Sequence, residues 1–182
     1  MPRTRADVAR TDKLDEIVEA ARGRLVDGGY GALSVADIAR QLGVAQNAIY
    51  WYFPTKDHLL VAAVEGILHD ILDCKPKRGA AVDRVLWFAE RLHEFQDLRL
   101  TIRERARSSE AVAAFERNVV GLLRLLLVNS LSEVATPDHI DDAADAVMAL
   151  CEGVLLRDIS AAHRRRLLRF GIERLLGPES TV

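Results

Sequence analysis

The sequence predicts an all-α protein of about nine helices, with a small N-terminal head joined through a long helix to a larger helical body. Three observations predict it. Apolar residues recur at spacings of three and four along almost the whole chain, and no segment alternates in twos for long. Gly, Pro and Ser or Thr fall where helices start and stop. The composition of the 182 residues, 49% hydrophobic and 29% charged, supports a folded core and not a disordered chain.

Taken in order, residues 1–10 read as a flexible basic arm with Arg3, Arg5 and Arg10. The first helix begins near Thr11, and Asp12, Asp15 and Glu16 in its first turn complement the helix dipole. It buries Leu14, Ile17, Val18, Ala21 and Leu25 and stops at Gly28-Gly29. The second helix opens on a capping-box pattern, Ser34 followed three residues later by Asp37, and buries Val35, Ile38, Ala39 and Leu42 before Gly43 ends it. The third runs from about Ala45 to Tyr52. Pro54 and Thr55 punctuate the chain, and Thr55 caps a fourth helix that reaches Asp73. A basic loop, CKPKRGA, leads to a fifth helix over about Ala81 to Asp97. A short sixth helix, about Leu98 to Arg107, carries Arg99, Arg103, Arg105 and Arg107. The seventh spans about Glu110 to Glu133, with Val112, Phe115, Val119, Leu122, Leu123 and Leu126 at core spacing. Thr136-Pro137 opens the eighth, which carries Ile140, Ala144, Val147, Cys151, Val154 and Leu155. The ninth runs from about Ala162 to Leu176 and ends at Gly177-Pro178.

The stretch SVADIARQLGVAQNAIYWYFPTK, residues 34–56, is the most informative. Ala39 is small where two helices cross, Gly43 makes the turn, and Ile49 points inward, which is the spacing of a helix-turn-helix. Ile49 and Tyr52 turned inward leave Gln46, Asn47, Ala48, Tyr50 and Trp51 facing out. Two amides, a methyl and two aromatics with polar tips suit a DNA groove. Gln46 and Asn47 can each bind adenine with paired hydrogen bonds, and Ala48 can pack on a thymine methyl. Tyr50, Trp51, Thr55 and Lys56 are candidate donors to phosphate oxygens, and Ser34 can contact phosphate as well as cap. For Gln46 and Asn47 the competing reading is plain solvated helix surface; for Tyr50 and Trp51 it is a half-buried core position.

The run GVAQNAIYWYFPTKDHL resembles the recognition helix and following linker of the tetracycline-repressor (TetR) family of bacterial transcription regulators, and IARQLGV resembles the family's second helix and turn. Upstream, KLDEIVEAARGRLVDGGYGALSVADIA is similar to its first helix, Gly-Gly stop and loop. Ala45 and Ala48 depart from the hydroxyl residues the family often has there. The resemblance implies a helix-turn-helix DNA-binding domain over residues 11–60 and an effector-binding and dimerisation domain over 61–182, with the boundary inside the fourth helix. It implies a repressor released from a palindromic double-stranded DNA operator by a small-molecule effector, whose identity the sequence does not give. Candidate pocket residues are Trp87, Phe88, Leu92, Phe95, Phe115, Val119 and Met148, with His93, Glu90, Arg103 or Arg105 as polar anchors; all can equally be core or helix surface. A homodimer is expected through the eighth and ninth helices, by way of Ala143, Val147, Cys151 and Val154 and of Leu167, Phe170 and Leu175. The same stripes can also be core within one chain.

Other readings are weaker. The net charge of −2 does not advertise nucleic acid, and the first 60 residues are balanced in charge, so placement must decide. Cys74 and Cys151 lie far apart with no CxxC spacing and read as reduced thiols of a cytoplasmic protein. No apolar signal segment or membrane span is expected. Glu90 and His93 have the spacing of one half of a di-metal bundle site, but no second such pair accompanies them, and Glu65 with His69 has a different geometry. Phosphate loops, GxSxG elbows and HExxH motifs are absent from the sequence, so no catalytic residue, metal or cofactor is expected. A DNA-binding activator, a repressor without a ligand, and a helical interaction protein that has lost DNA binding are the alternatives.

Overall fold

The computed structural model describes the backbone of residues 5–133 and 139–176, and the side chains of residues 12–133 and 139–176. Among the described residues the regular structure is helical. Its elements are α1 (Arg5–Ala32), α2 (Val35–Leu42), α3 (Gln46–Tyr52), α4 (Lys56–Asp73), α5 (Ala81–Glu94), α6 (Gln96–Arg105), α7 (Glu110–Leu131), α8 (Ile140–Leu155) and α9 (Ala161–Leu176). No helix among the described residues is long and apolar enough to cross a membrane. Thr136 and Pro137, expected to open α8, and Gly177 and Pro178, expected to close α9, lie outside the described residues.

Two departures have simple causes. Backbone over residues 5–10, expected as a flexible arm, continues α1, because Ala and Arg are among the strongest helix formers. The break at Gly28-Gly29 is a kink, after which helical pairing resumes to Ala32; Gly29 has φ +64°, a conformation that excludes most side chains.

The described residues form two compact units, one made of residues up to 73 with 97–116, the other of 74–96 with 117 onward. In the first, α1 packs on α4 and α2, and α2 packs on α3. Ile17, Ala21, Leu25, Leu33, Ile38, Ala39, Ile49, Leu59, Leu60 and Ala63 are buried there, as the three- and four-residue spacing requires. Gly66 lets α1 approach α4: a methyl on it would sit 3.0 Å from Arg22 Cδ, and Arg22 goes on to pair with Asp70 and Glu19.

In the second unit, α5, α8 and α9 pack around Val82, Val85, Leu86, Ala89, Ala144, Val147, Val154, Leu155, Leu168 and Ile172, with Leu131 from α7. The rim is ionic. Arg165 pairs with Glu90, Arg169 with Asp83, and Arg124 with both Asp141 and Asp145 at 2.7 Å. The pair with Arg165 occupies Glu90, which the sequence offered as half of a metal motif. Val147 and Val154, expected at the dimer interface, are committed to this core and offer no surface to a partner. Ala143, Cys151 and Leu167 are half-buried against it, whereas Phe170 and Leu175 are exposed. The misreading has a physical reason: α8 carries small apolar residues on both faces, so spacing alone cannot tell core from surface.

Gly43 ends α2 at φ 64°, ψ 33°, and a Cβ there would meet open space. Replacement costs only backbone strain. Gly43→Ala should lower the unfolding free energy by about 1–2 kcal/mol, and Gly43→Asn by less, as measured by urea denaturation.

Candidate nucleic-acid interface

The site begins at Ser34. Its backbone is extended (φ −117°, ψ 116°), and its Oγ accepts the Asp37 N–H at 3.3 Å, capping α2. The Ser34 hydroxyl and then Arg40, 2.7 Å away, hold the Asp37 carboxyl below the usual carboxylate range. At the other end the N–H of Gly43 reaches the Arg40 carbonyl at 3.4 Å, and that of Val44 reaches Ala39 at 3.0 Å. The chain thus turns within three residues and enters α3.

α3 has seven residues and its N-cap, Ala45, makes no side-chain hydrogen bond. It is too short to persist alone. Ile49, 0% exposed, anchors it, and Phe53 closes it from behind by donating its N–H to the Ile49 carbonyl at 2.9 Å. Because successive helical residues are rotated by about 100°, burying Ile49 turns its neighbours outward. Gln46, Asn47 and Ala48 are exposed, Tyr50 is 43% exposed and Trp51 64%. The half-buried core alternative for Trp51 does not describe this structure. Trp51 stands edge-on to half-buried Tyr52, with ring centroids 4.8 Å apart.

Thr55 caps α4 as expected: its Oγ1 accepts the His58 N–H at 3.3 Å and lies 2.9 Å from His58 Nδ1. Lys56 is half-buried, its Nζ 4.0 Å from the centre of the Tyr30 ring. Beside it lies a network the sequence did not reveal. Asp57, 8% exposed, receives two hydrogen bonds from Arg105, at 3.0 Å from Nε and 2.7 Å from Nη2, and a third from the Tyr30 hydroxyl at 2.9 Å. Burial pushes the Asp57 carboxyl up, but hydrogen bonds from Arg105, Tyr30 and Ser109 together bring it below the ordinary value. Burial, then the hydrogen bond to Asp57, raises the Tyr30 phenol. Burial, then repulsion from Arg105, lowers the Lys56 ammonium. The only sequence hints were a carboxylate in the first turn of α4 and an arginine in a basic helix 48 residues away.

Ser34, Gln46, Asn47, Ala48, Tyr50, Trp51, Thr55 and Lys56 therefore all fall on α2, α3, α4 and their junctions in the first unit. A separate open groove of about 1000 Å³, on α1 and α2, is lined by Asp12, Asp15, Glu16, Glu19 and Arg24 among others; its carboxylates would repel phosphate. The pocket candidates are divided. Trp87 and Phe88 meet edge to face at 5.8 Å in the second unit, where Leu92, Phe95, Val119 and Met148 are also half-buried, whereas Phe115 is buried in the first.

Comparison with known proteins bears on this geometry. Residues 17–63 match the family model of bacterial regulatory proteins, tetR family. Over 72 residues the chain is 35% identical to the HTH-type transcriptional repressor KstR of Mycolicibacterium smegmatis, covering 40% of this chain and 35% of that protein. With the HTH-type transcriptional regulator TtgR of Pseudomonas putida it shares 34% identity over 70 residues, 38% of this chain and 33% of that one. The chain thus matches about a third of the length of these relatives. A fatty acid metabolism regulator protein of Bacillus subtilis is 26% identical over 83% of this chain and 70% of its own. Among solved structures, a transcriptional regulator from Rhodococcus superposes with a TM-score of 0.72 at 19% identity, over 92% of this chain and 98% of that one. A Saccharomonospora viridis protein solved in complex with choline gives 0.70 at 19%, over 90% and 96%. These likenesses establish the fold.

The network at Asp57 has a stability consequence. The folded-state value of Asp57 lies below its unfolded value, so its contribution is complete above the ordinary carboxylate range and is lost as pH falls through the folded value. Asp57→Asn should cost about 1–3 kcal/mol at pH 7, less than for a fully buried pair because the Arg105 side chain is 35% exposed. Denaturation curves between pH 7 and acid should show a smaller acid loss for the variant than for the wild type.

Proposed function

We propose that this chain, whose residues 17–63 match the family model of bacterial regulatory proteins, tetR family, is a sequence-specific DNA-binding regulator, a repressor that a small-molecule effector releases from a palindromic operator. One observation carries the reading: the outward face of α3, with Gln46, Asn47, Ala48, Tyr50 and Trp51 exposed around a buried Ile49. Gln46 and Asn47 read adenine edges, and Ala48 packs on a thymine methyl. Ser34, Tyr50, Trp51, Thr55 and Lys56 hold the sugar-phosphate backbone and set the register.

One head on one half-site binds weakly, so the regulator works as a homodimer across a two-fold operator. The exposed residues of α8 and α9 suit such a partner: Ala149, Gly153, Phe170 and Leu175, with Leu156 just beyond α8. Phe170 is 60% exposed, and Arg174 lies 5.5 Å over its ring. An effector acts only if it favours one arrangement of the dimer over another. The choline held by the Saccharomonospora viridis protein supports a small-molecule role for the body, for which Trp87, Phe88, Phe95 and Met148 of the second unit are the candidates.

Two experiments test this. On a duplex recovered by the wild type from a random-sequence pool, Gln46→Ala and Asn47→Ala should each weaken binding by about 5- to 150-fold and relax preference at A·T positions, the equivalent of about 1–3 kcal/mol; unchanged sequence preference would remove the base-reading role. Phe170→Glu should shift the protein to monomer in sedimentation velocity and weaken operator binding in parallel; a dimer that survives the change would move the interface elsewhere.

A further inference from the structure

Lys56 is the one lysine among the candidate phosphate contacts, and its neighbour in sequence is a carboxylate. An ammonium beside a partly desolvated carboxylate ordinarily pairs with it, and a paired lysine has little charge to offer phosphate. Here the pairing does not occur. Arg105 spans both Asp57 oxygens, at 3.0 and 2.7 Å, and the Tyr30 hydroxyl takes a further position at 2.9 Å. No carboxylate oxygen pairs with Lys56 among the described residues; its ammonium rests 4.0 Å from the Tyr30 ring centre, and the Arg105 guanidinium lies 5.0 Å from the same centre.

Resting on the DNA-binding function proposed above, we propose that Arg105 is a positioning residue for that function: by saturating Asp57 it keeps the Lys56 ammonium available to a DNA phosphate. Tyr30 completes the device, with its hydroxyl on the carboxylate and its ring face under the ammonium. The planar guanidinium fork suits the task, because a lysine at 105 could not span both oxygens. Arg105 touches no base in this account and carries no sequence information. Its effect is read in the number of phosphates neutralised.

The salt dependence of binding measures that number, at a slope of about 0.9 in log affinity against log salt for each phosphate neutralised on duplex DNA. The probe is a duplex recovered by the wild type from a random-sequence pool. Arg105→Gln should reduce the slope by about 0.9 per head, as should Lys56→Gln, and combining the two should reduce it no further. Asp57→Asn in the Arg105→Gln background removes the competing carboxylate and should restore the wild-type slope, which a purely structural role for Arg105 would not do. If Arg105→Gln does not fold, as judged by circular dichroism, Arg105→Lys carries the same test. A wild-type slope in the folded Arg105 variant, or an Arg105→Gln/Asp57→Asn variant that stays as shallow as Arg105→Gln alone, overturns the inference and leaves the function standing. A wild type that recovers no duplex overturns the function, and the inference with it.

Discussion

The burial of Ile49 is the constraint on which the outward face of α3 depends. A two-turn helix with an alanine at its N-cap has neither the length nor the capping to hold itself. Its orientation is supplied from outside, by Ile49 in the core of the first unit and by the Gly43 turn that delivers the chain to it. Once that one side chain is fixed inward, the helix has no rotational freedom left, and the amides and aromatics on its other faces are presented to solvent. α2 serves as the platform, and its stability rests on a capped start at Ser34 and a left-handed stop at Gly43.

The electrostatics follow from placement and not from total charge. Much of the ionic inventory is spent in pairs: Arg22 with Asp70 and Glu19, Arg124 with Asp141 and Asp145, Arg165 with Glu90, and Arg169 with Asp83. Exposed pairs of this kind add little stability, but they remove charge from competition. The Asp57 cluster differs. It is partly desolvated, it draws hydrogen bonds from α6 and from the end of α1, and it sits at the start of α4 beside the candidate phosphate contacts. A chain with a net charge of −2 can offer cations to DNA where its acids are already occupied.

The helix-turn-helix was legible because its determinants are local. Periodicity, the Ser34 cap, the Gly43 turn and the inward Ile49 all lie within sixteen consecutive residues, and each stands as read. The Thr55 cap was legible for the same reason. What escaped is long-range. Nothing in the spacing of Tyr30, Asp57 and Arg105 links them, since the fold alone brings residues 48 apart into a bidentate pair. On α8 the difficulty was symmetry of composition: Val147 and Val154 face the core while Ala149 and Gly153 face out, and both sets are apolar. The pocket candidates share that difficulty, because a half-buried aromatic looks the same in sequence whether it lines a cavity or a core.

The most direct measurement uses a reporter already in the site. The chain has two tryptophans, Trp51 on α3 and Trp87 on α5. With Trp87 replaced by Phe, emission comes from the 64% exposed Trp51 alone. If α3 lies against DNA, adding a duplex that the protein binds must change that emission saturably, and added salt must reverse the change as binding is lost. A bound duplex that leaves the Trp51 signal untouched would contradict the claim that this face meets DNA.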